Sequence, residues 1–184
     1  MNRNFFGLEL EFGGRCPDIT LSEILGINLE VNSIYLIDYS EWSISEDCTA
    51  DSEDLVGLEI RSPKFTEFPR EELRQHCHHL SENGCRPTRT SGIHFHFSGP
   101  EFAFLQELPK VTLTELSKRL FCIGAPHKER EKYCLPNTDF SIKRSALRLV
   151  NDNHWECRVF NSTLDVCLIE GHFHKMLEVI NEYV

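Results

Sequence analysis

Four short stretches of this 184-residue chain place carboxylate, imidazole or guanidinium groups at every second position. They carry Glu9 and Glu11, Glu59 and Arg61, His94 and His96, and Glu156 and Arg158. In a β-strand, residues two apart share a face and lie about 6.6–6.8 Å apart along the chain. Each pair would therefore project to one side, while Leu8, Leu10, Phe12, Leu58, Ile60, Ile93, Phe95, Phe97, Trp155, Cys157 and Val159 point to the other. The same phase places Gly7, Gly57, Ser98 and Phe160 with the polar groups. Taken singly, each polar face reads as the wet side of an antiparallel sheet. Taken together, the composition is unusual, because a solvent face normally mixes Lys, Thr, Ser and Gln and these stretches hold Glu, His and Arg without Lys. Carboxylate and neutral imidazole both ligate divalent ions, and adjacent carboxylates repel unless a cation separates them. The set suits Mg²⁺ or Mn²⁺ better than structural Zn²⁺, which favours a closed tetrahedron of Cys and His.

The elements that must position these groups can be read from periodicity and punctuation. Alternation predicts strands over residues 4–12, 33–45, 55–62, 92–98, 146–150 and 154–160. Helices are expected over 19–29, 69–82, 113–122 and 164–183. The second of these starts on Pro69 with Glu71 and Glu72 in its first turn, stops at Asn83-Gly84, and carries Leu73, Cys77 and Leu80 as its buried stripe. The expected fold is α+β, a mainly antiparallel curved sheet of five or more strands with helices packed on one face, in a single domain spanning 1–184.

The formal charge of −10 argues against a nucleic-acid backbone as the main ligand. No apolar run is long enough for a membrane span, and the N-terminus lacks the pattern of a secretory signal, so a cytoplasmic protein is expected. The eight cysteines are dispersed without a CxxC pair and read as reduced packing residues.

Six motifs stand in a recognisable order: G-L-E-L-E at 7–11, D-C-T at 47–49, G-L-E-I-R-S-P at 57–63, G-I-H-F-H-F-S at 92–98, R-S-A-L-R-L-V-N at 144–151 and E-C-R-V-F-N-S-T at 156–163. Together they resemble the amidoligase family of the glutamine synthetase and glutamate–cysteine ligase superfamily. The resemblance implies a glutamine-synthetase-like catalytic sheet whose concave face holds ATP and two or more Mg²⁺ or Mn²⁺ ions. It implies activation of a carboxylate as an acyl phosphate, followed by attack of an amine. Carried over by motif, Glu9, Glu11, Asp47, Glu59, His94 and Glu156 are the implied metal ligands, with Asp47 and Glu59 on the Glu11 side and His94 and Glu156 sharing an ion with Glu9. His96, Arg144, Arg148 and Arg158 are the implied phosphate-binding groups, and Arg158, Arg148 and Glu59 the implied catalytic set. Phase with Trp42 favours Asp47 over Glu46, and Arg61 is an unusual cation so close to the site.

Two other function classes fit the same residues. One is a metal-dependent hydrolase or phosphotransferase, and the other a non-catalytic binding or inhibitor protein on a ligase scaffold, which the small size favours. A zinc cluster from His76, Cys77, His78, His79 and Cys85 is disfavoured because consecutive helical residues point apart, and His172 and His174 read as surface residues. The implied substrates are a small-molecule or peptide carboxylate and an amine, and an oligomer would be compatible with this chemistry.

Overall fold

A computed structural model of the chain describes residues 3–15, 17–29, 40–47, 54–127, 131–136 and 139–184. They form an α+β fold around one open seven-stranded sheet. The strands are β1 (Phe5–Gly14), β2 (Asn28–Leu29), β3 (Ser43–Glu46), β4 (Val56–Arg61), β5 (Gly92–Ser98), β6 (Leu147–Asn151) and β7 (His154–Asn161), in spatial order β2-β3-β4-β1-β5-β7-β6. Every pairing is antiparallel except β2 with β3. Five α-helices accompany them: α1 (Asp18–Leu25), α2 (Arg70–Glu82), α3 (Phe104–Glu107), α4 (Lys110–Gly124) and α5 (Val166–Asn181).

The alternation seen in the sequence divides this sheet into two chemically different faces. Leu8, Leu10 and Phe12 of β1, Leu58 and Ile60 of β4, Ile93, Phe95 and Phe97 of β5, and Trp155 and Cys157 of β7 are all buried in one apolar cluster. The helices close that cluster with their own stripes. Leu73, Cys77 and Leu80 come from α2, Leu113, Leu116 and Leu120 from α4, and Ile169, Phe173, Met176 and Ile180 from α5. Phe173 is a hub, with ring contacts to Phe6, Phe65, Phe68 and Phe95. Asp165 caps α5 by accepting from the backbone N–H groups of Cys167 and Leu168. Burial pushes the Cys77 thiol up to about 12, which leaves it an inert packing group.

Several expectations shift at the element ends. The strand expected over 33–45 lies mostly outside the described residues, and only its end is seen as β3. The helix expected to reach 29 stops at Leu25, because Gly26 adopts the left-handed conformation, φ 65°, and the chain turns into β2. Phe160 departs from its expected face. The β5–β7 register slips between Ile93 and Phe95, so that three residues of β7 span two of β5. This bulge breaks the alternation beyond Val159, so that Phe160 joins Val159 in the core, where it meets Phe95 and stacks on His172 at 4.6 Å. His172 is accordingly half-buried, while His174 is exposed. No helix among the described residues is long and apolar enough to cross a membrane.

Helix α4 ends hard against β7. A Cβ built on Gly124 would lie 2.5 Å from both the carbonyl oxygen and Cγ2 of Val159. Replacing a helical glycine by alanine ordinarily stabilises by about 0.8–1 kcal/mol. Here overpacking against backbone, costing about 1–3 kcal/mol, outweighs that gain. Gly124→Ala is therefore expected to lower the thermal midpoint by a few degrees in a calorimetric melt, and an unchanged or raised midpoint would contradict this packing.

Candidate metal centre

The order of strands, more than any one strand, builds the site. Because β1 lies between β4 and β5, Glu9 is directly opposite Arg61 on one side and His94 on the other. A second row runs Ser45, Glu59, Glu11 across β3, β4 and β1. A third runs Gly7, His96, Glu156, Arg148 across β1, β5, β7 and β6. Side chains directly opposite one another on the same face have Cβ atoms about 4.5–5.5 Å apart, close enough for their polar ends to meet.

They do meet. His94 Nδ1 hydrogen-bonds Glu9 Oε2 at 2.9 Å and stands 3.5 Å from Glu156 Oε1. Its Nε2 is 3.1 Å from Glu11 Oε1. His96 Nε2 lies 3.2 Å from Glu9 Oε1, and its Nδ1 is 2.9 Å from His154 Nε2. Arg158 Nη1 donates to Glu156 Oε1 at 2.5 Å, and Arg148 Nη1 donates to Oε2 of the same carboxylate at 3.1 Å. Arg61 Nη2 is 2.5 Å from Glu59 Oε1, and its Nε is 3.4 Å from Glu9. Glu11 also accepts from the Gly92 N–H at 2.7 Å, which ties the side chain to the start of β5. The hydroxyl of Ser162 donates to the Glu11 carbonyl.

Most of this polar cluster is sealed from water. Glu11, Glu59, His94, Glu156 and Arg158 are each at most 7% exposed, figures normal for core leucines and rare for charged residues. Burial alone would push every carboxylate up. At Glu9 the charge of His96 and the close imidazoles of His94 and His96 outweigh burial and hold it well below the usual carboxylate range. At Glu156 the opposing charges are Arg158, His96 and His94, and the result is again downward. Glu59 goes the other way. Burial and the charge of Glu9 raise it well above the usual range despite Arg61, with Glu11 and Asp47 adding to the rise. His96 is raised, the charge of Glu9 overcoming its burial, whereas His154 is depressed to about 4 by burial and by His96.

Among the described residues, three groups of donor atoms each lie within 4.8 Å of one another: Glu9 with Glu59 and His94, Glu9 with His96 and Glu156, and Glu11 with Asp47 and Glu59. Glu9 and Glu59 each belong to two groups, so the three form one connected chain of ligands. The chemistry of the donors fits a hard divalent cation, with carboxylate oxygen predominant and imidazole in the minority. The imidazoles supply a second indication. The Nε2 atoms of His94 and His96 are buried and close to carboxylates, yet neither contact has hydrogen-bond geometry.

All ten residues expected at the site line one cavity of about 480 Å³: Glu9, Glu11, Asp47, Glu59, His94, His96, Arg144, Arg148, Glu156 and Arg158. Their grouping differs in detail from that implied by the motifs. His96, expected at the phosphates, also joins a donor group with Glu9 and Glu156, and His94 joins one with Glu9 and Glu59 while its Nδ1 stays 3.5 Å from Glu156. Asp47 joins a donor group and Glu46 does not, although both line the cavity. The motif reading omitted Tyr133, Lys143 and His154 from the site. His154 was detectable, since it precedes Glu156 by two and shares its phase. Tyr133 and Lys143 line the cavity from the stretch between α4 and β6, where no periodicity marks them. That segment is pinned to itself by Leu135 N–H to the Arg144 carbonyl, 2.9 Å, and Ala146 N–H to the Leu135 carbonyl, 2.8 Å. Among the described residues the His76–His79 run enters none of the donor groups.

Comparison with known protein families, with curated proteins and with solved structures finds no match to this chain.

A ligand that binds only the folded state at 100 times its dissociation constant stabilises by about 2.7 kcal/mol. In a protein of this size that corresponds to roughly 5–11 °C. Saturating Mn²⁺ should raise the thermal midpoint by this order, and Glu59→Gln, which removes a ligand shared by two groups, should abolish the rise while circular dichroism stays native. Because ligands must shed protons to bind the ion, the rise should shrink from pH 8 toward pH 5. A rise that persists in Glu59→Gln would show that Mn²⁺ binds elsewhere.

Proposed function

We propose that this protein is an ATP-dependent carboxylate–amine ligase that uses two divalent ions, Mg²⁺ or Mn²⁺, on the polar face of its sheet. One observation carries the reading: a continuous set of carboxylate and imidazole donors shares Glu9 and Glu59, and arginines flank it within the same cavity. Linked donor groups suit two neighbouring ions, and two-ion sites serve phosphoryl transfer by clamping the attacking and leaving oxygens. The cavity lies within the range of about 300–1,000 Å³ typical of small-molecule sites. The motif resemblance to the amidoligase family supports the same assignment, with the seven-stranded sheet in the place of the curved catalytic sheet of glutamine-synthetase-like enzymes.

The ions would supply positive charge to the β- and γ-phosphate oxygens. The protein's own residues supply placement. Glu9, Glu11, Asp47, Glu59, His94 and Glu156, with His96, form the anionic floor. Arg158 and Arg148 both contact Glu156, which orients their forked guanidinium groups along one edge of the cavity. From there they hold the oxygens of the phosphoryl group in flight. Arg144 lines the same cavity and adds positive charge facing the nucleotide phosphates. In the first step a carboxylate oxygen of the substrate attacks the γ-phosphorus and ADP leaves, giving an acyl phosphate. In the second the amine nitrogen attacks the acyl carbon, inorganic phosphate leaves, and the nitrogen loses its proton. Tyr133 and Lys143 complete the lining of the cavity.

The test is nucleotide turnover with Mn²⁺ or Mg²⁺ across a set of acids and amines. ADP and phosphate release should require both an acid and an amine. Release without either would indicate a metal-dependent hydrolase, and no nucleotide binding would indicate a non-catalytic role. Arg158→Lys should lower kcat by roughly 10²–10³-fold, the usual consequence of losing a preorganised contact to developing charge. Its Mn²⁺-induced stabilisation should survive, since Arg158 is not a ligand.

A further inference from the structure

A second cavity, of about 280 Å³, opens beside the first. Glu9, Arg61, His96 and His154 line both, so the two spaces meet along a shared seam. Beyond the seam the chemistry changes. The larger cavity is dominated by carboxylates and arginines, whereas the smaller one is lined by the exposed Phe5 and the exposed Lys64.

Gly7 forms part of its wall. It lies on β1 two residues before Glu9, on the same face and directly opposite His96. Glycine inside a strand forfeits packing and backbone order, and it commonly marks a place where something approaches the main chain closely. The backbone does not require it here, because Gly7 is not among the residues with positive φ. Nor does close packing forbid a methyl group, since a Cβ would lie 3.4 Å from His96 Cβ, with no other heavy atom within 4 Å. What a larger side chain would do at this position is fill the cavity.

Arg61 stands where the two spaces join, in contact with Glu9 and Glu59. Lys64 follows it three residues later on the same side of the smaller cavity, and Asp152 lines it from the turn between β6 and β7. A small acid drawn toward Arg61 and Lys64 would present its carboxylate at the seam, next to the groups assigned above to phosphoryl transfer.

We propose that the smaller cavity is the site of the acid to be activated: a small carboxylic acid, steered by Lys64, its carboxylate at Arg61 and its apolar part over Gly7 against Phe5. This deepens the ligase reading and rests on it, with the nucleotide in the larger cavity and the acid entering from the smaller one.

The probes are Mn²⁺–ADP, followed by acetate, succinate, glutarate, glutamate, aspartate and benzoate, each titrated calorimetrically into the Mn²⁺–ADP-loaded protein. The proteins are wild type, Gly7→Val and Lys64→Glu. Mn²⁺–ADP should bind wild type and Lys64→Glu within about twofold, because Lys64 belongs to no donor group and lines only the smaller cavity. At least one acid should bind loaded wild type, bind loaded Lys64→Glu roughly tenfold or more weakly, and fail to bind loaded Gly7→Val, a tenfold change being 1.4 kcal/mol. Lys64 is exposed, so its variant keeps the test valid if Gly7→Val does not fold or, residue 7 facing His96, does not load. Equal acid binding in every loaded variant, or no binding by any acid to loaded wild type, overturns the inference while leaving the ligase reading in place. Weakened Mn²⁺–ADP binding in Lys64→Glu overturns it too, by putting nucleotide in this cavity. If Mn²⁺–ADP does not bind wild type at all, both readings fall together.

Discussion

Four glutamates and two histidines crowd onto one sheet face, and Glu11, Glu59 and Glu156 among them are almost wholly shielded from water. Like charges in such a place repel, and each loses hydration. The molecule answers with paired charges: Arg158 and Arg148 on Glu156, Arg61 between Glu59 and Glu9, and His94 among Glu9, Glu11 and Glu156. The compensation is uneven. Opposite charges hold Glu9 and Glu156 below the usual carboxylate range, while burial and the charge of Glu9 push Glu59 above it. A divalent cation among these converging donor atoms would relieve the crowding of negative charge.

The rest of the architecture serves to hold this costly arrangement still. The opposite sheet face is apolar throughout, and three helices close over it with aromatic and aliphatic side chains. At about 25 cal/mol per Å² of apolar area, burial of that face supplies the favourable free energy against which the polar face is maintained. Rigid placement follows as well. Glu9, Glu11, Glu59, His94, His96, Glu156 and Arg158 spring from β1, β4, β5 and β7, each paired with a strand on both sides, and a site on such elements is held more accurately than one on loops. Arg148 is on the edge strand β6, Asp47 follows β3, and Tyr133, Lys143 and Arg144 reach the cavity from outside the sheet.

The chain's alternation was legible because it is local. A period of two in Leu8 to Phe12, Leu58 to Arg61 and Ile93 to Ser98 identified both the core face and the chemical face residue by residue. The α2 stripe of Leu73, Cys77 and Leu80 was equally plain from its helical spacing. The reading failed where a neighbour intervened. Phe160 is in correct phase for the polar face by counting along β7 alone, and only the slip against β5 turns it inward. Tyr133 and Lys143 carried no periodic signal. His154 did carry one, two residues before Glu156, yet an isolated imidazole at the start of a strand reads equally well as a solvent-exposed group.

The sequence by itself thus determined which residues share a face, and that one face would be acidic and imidazole-rich, because side-chain direction in a strand follows from backbone geometry alone. Only the tertiary structure decided which faces meet. The order β3-β4-β1-β5-β7 sets Glu9 between Arg61 and His94, brings Glu59 level with Glu11, and carries His96 to Glu156. Those juxtapositions join residues as many as 147 positions apart, between Glu9 and Glu156. They depend on register, on the β7 bulge and on the packing of distant helices, none of which a short window of sequence contains.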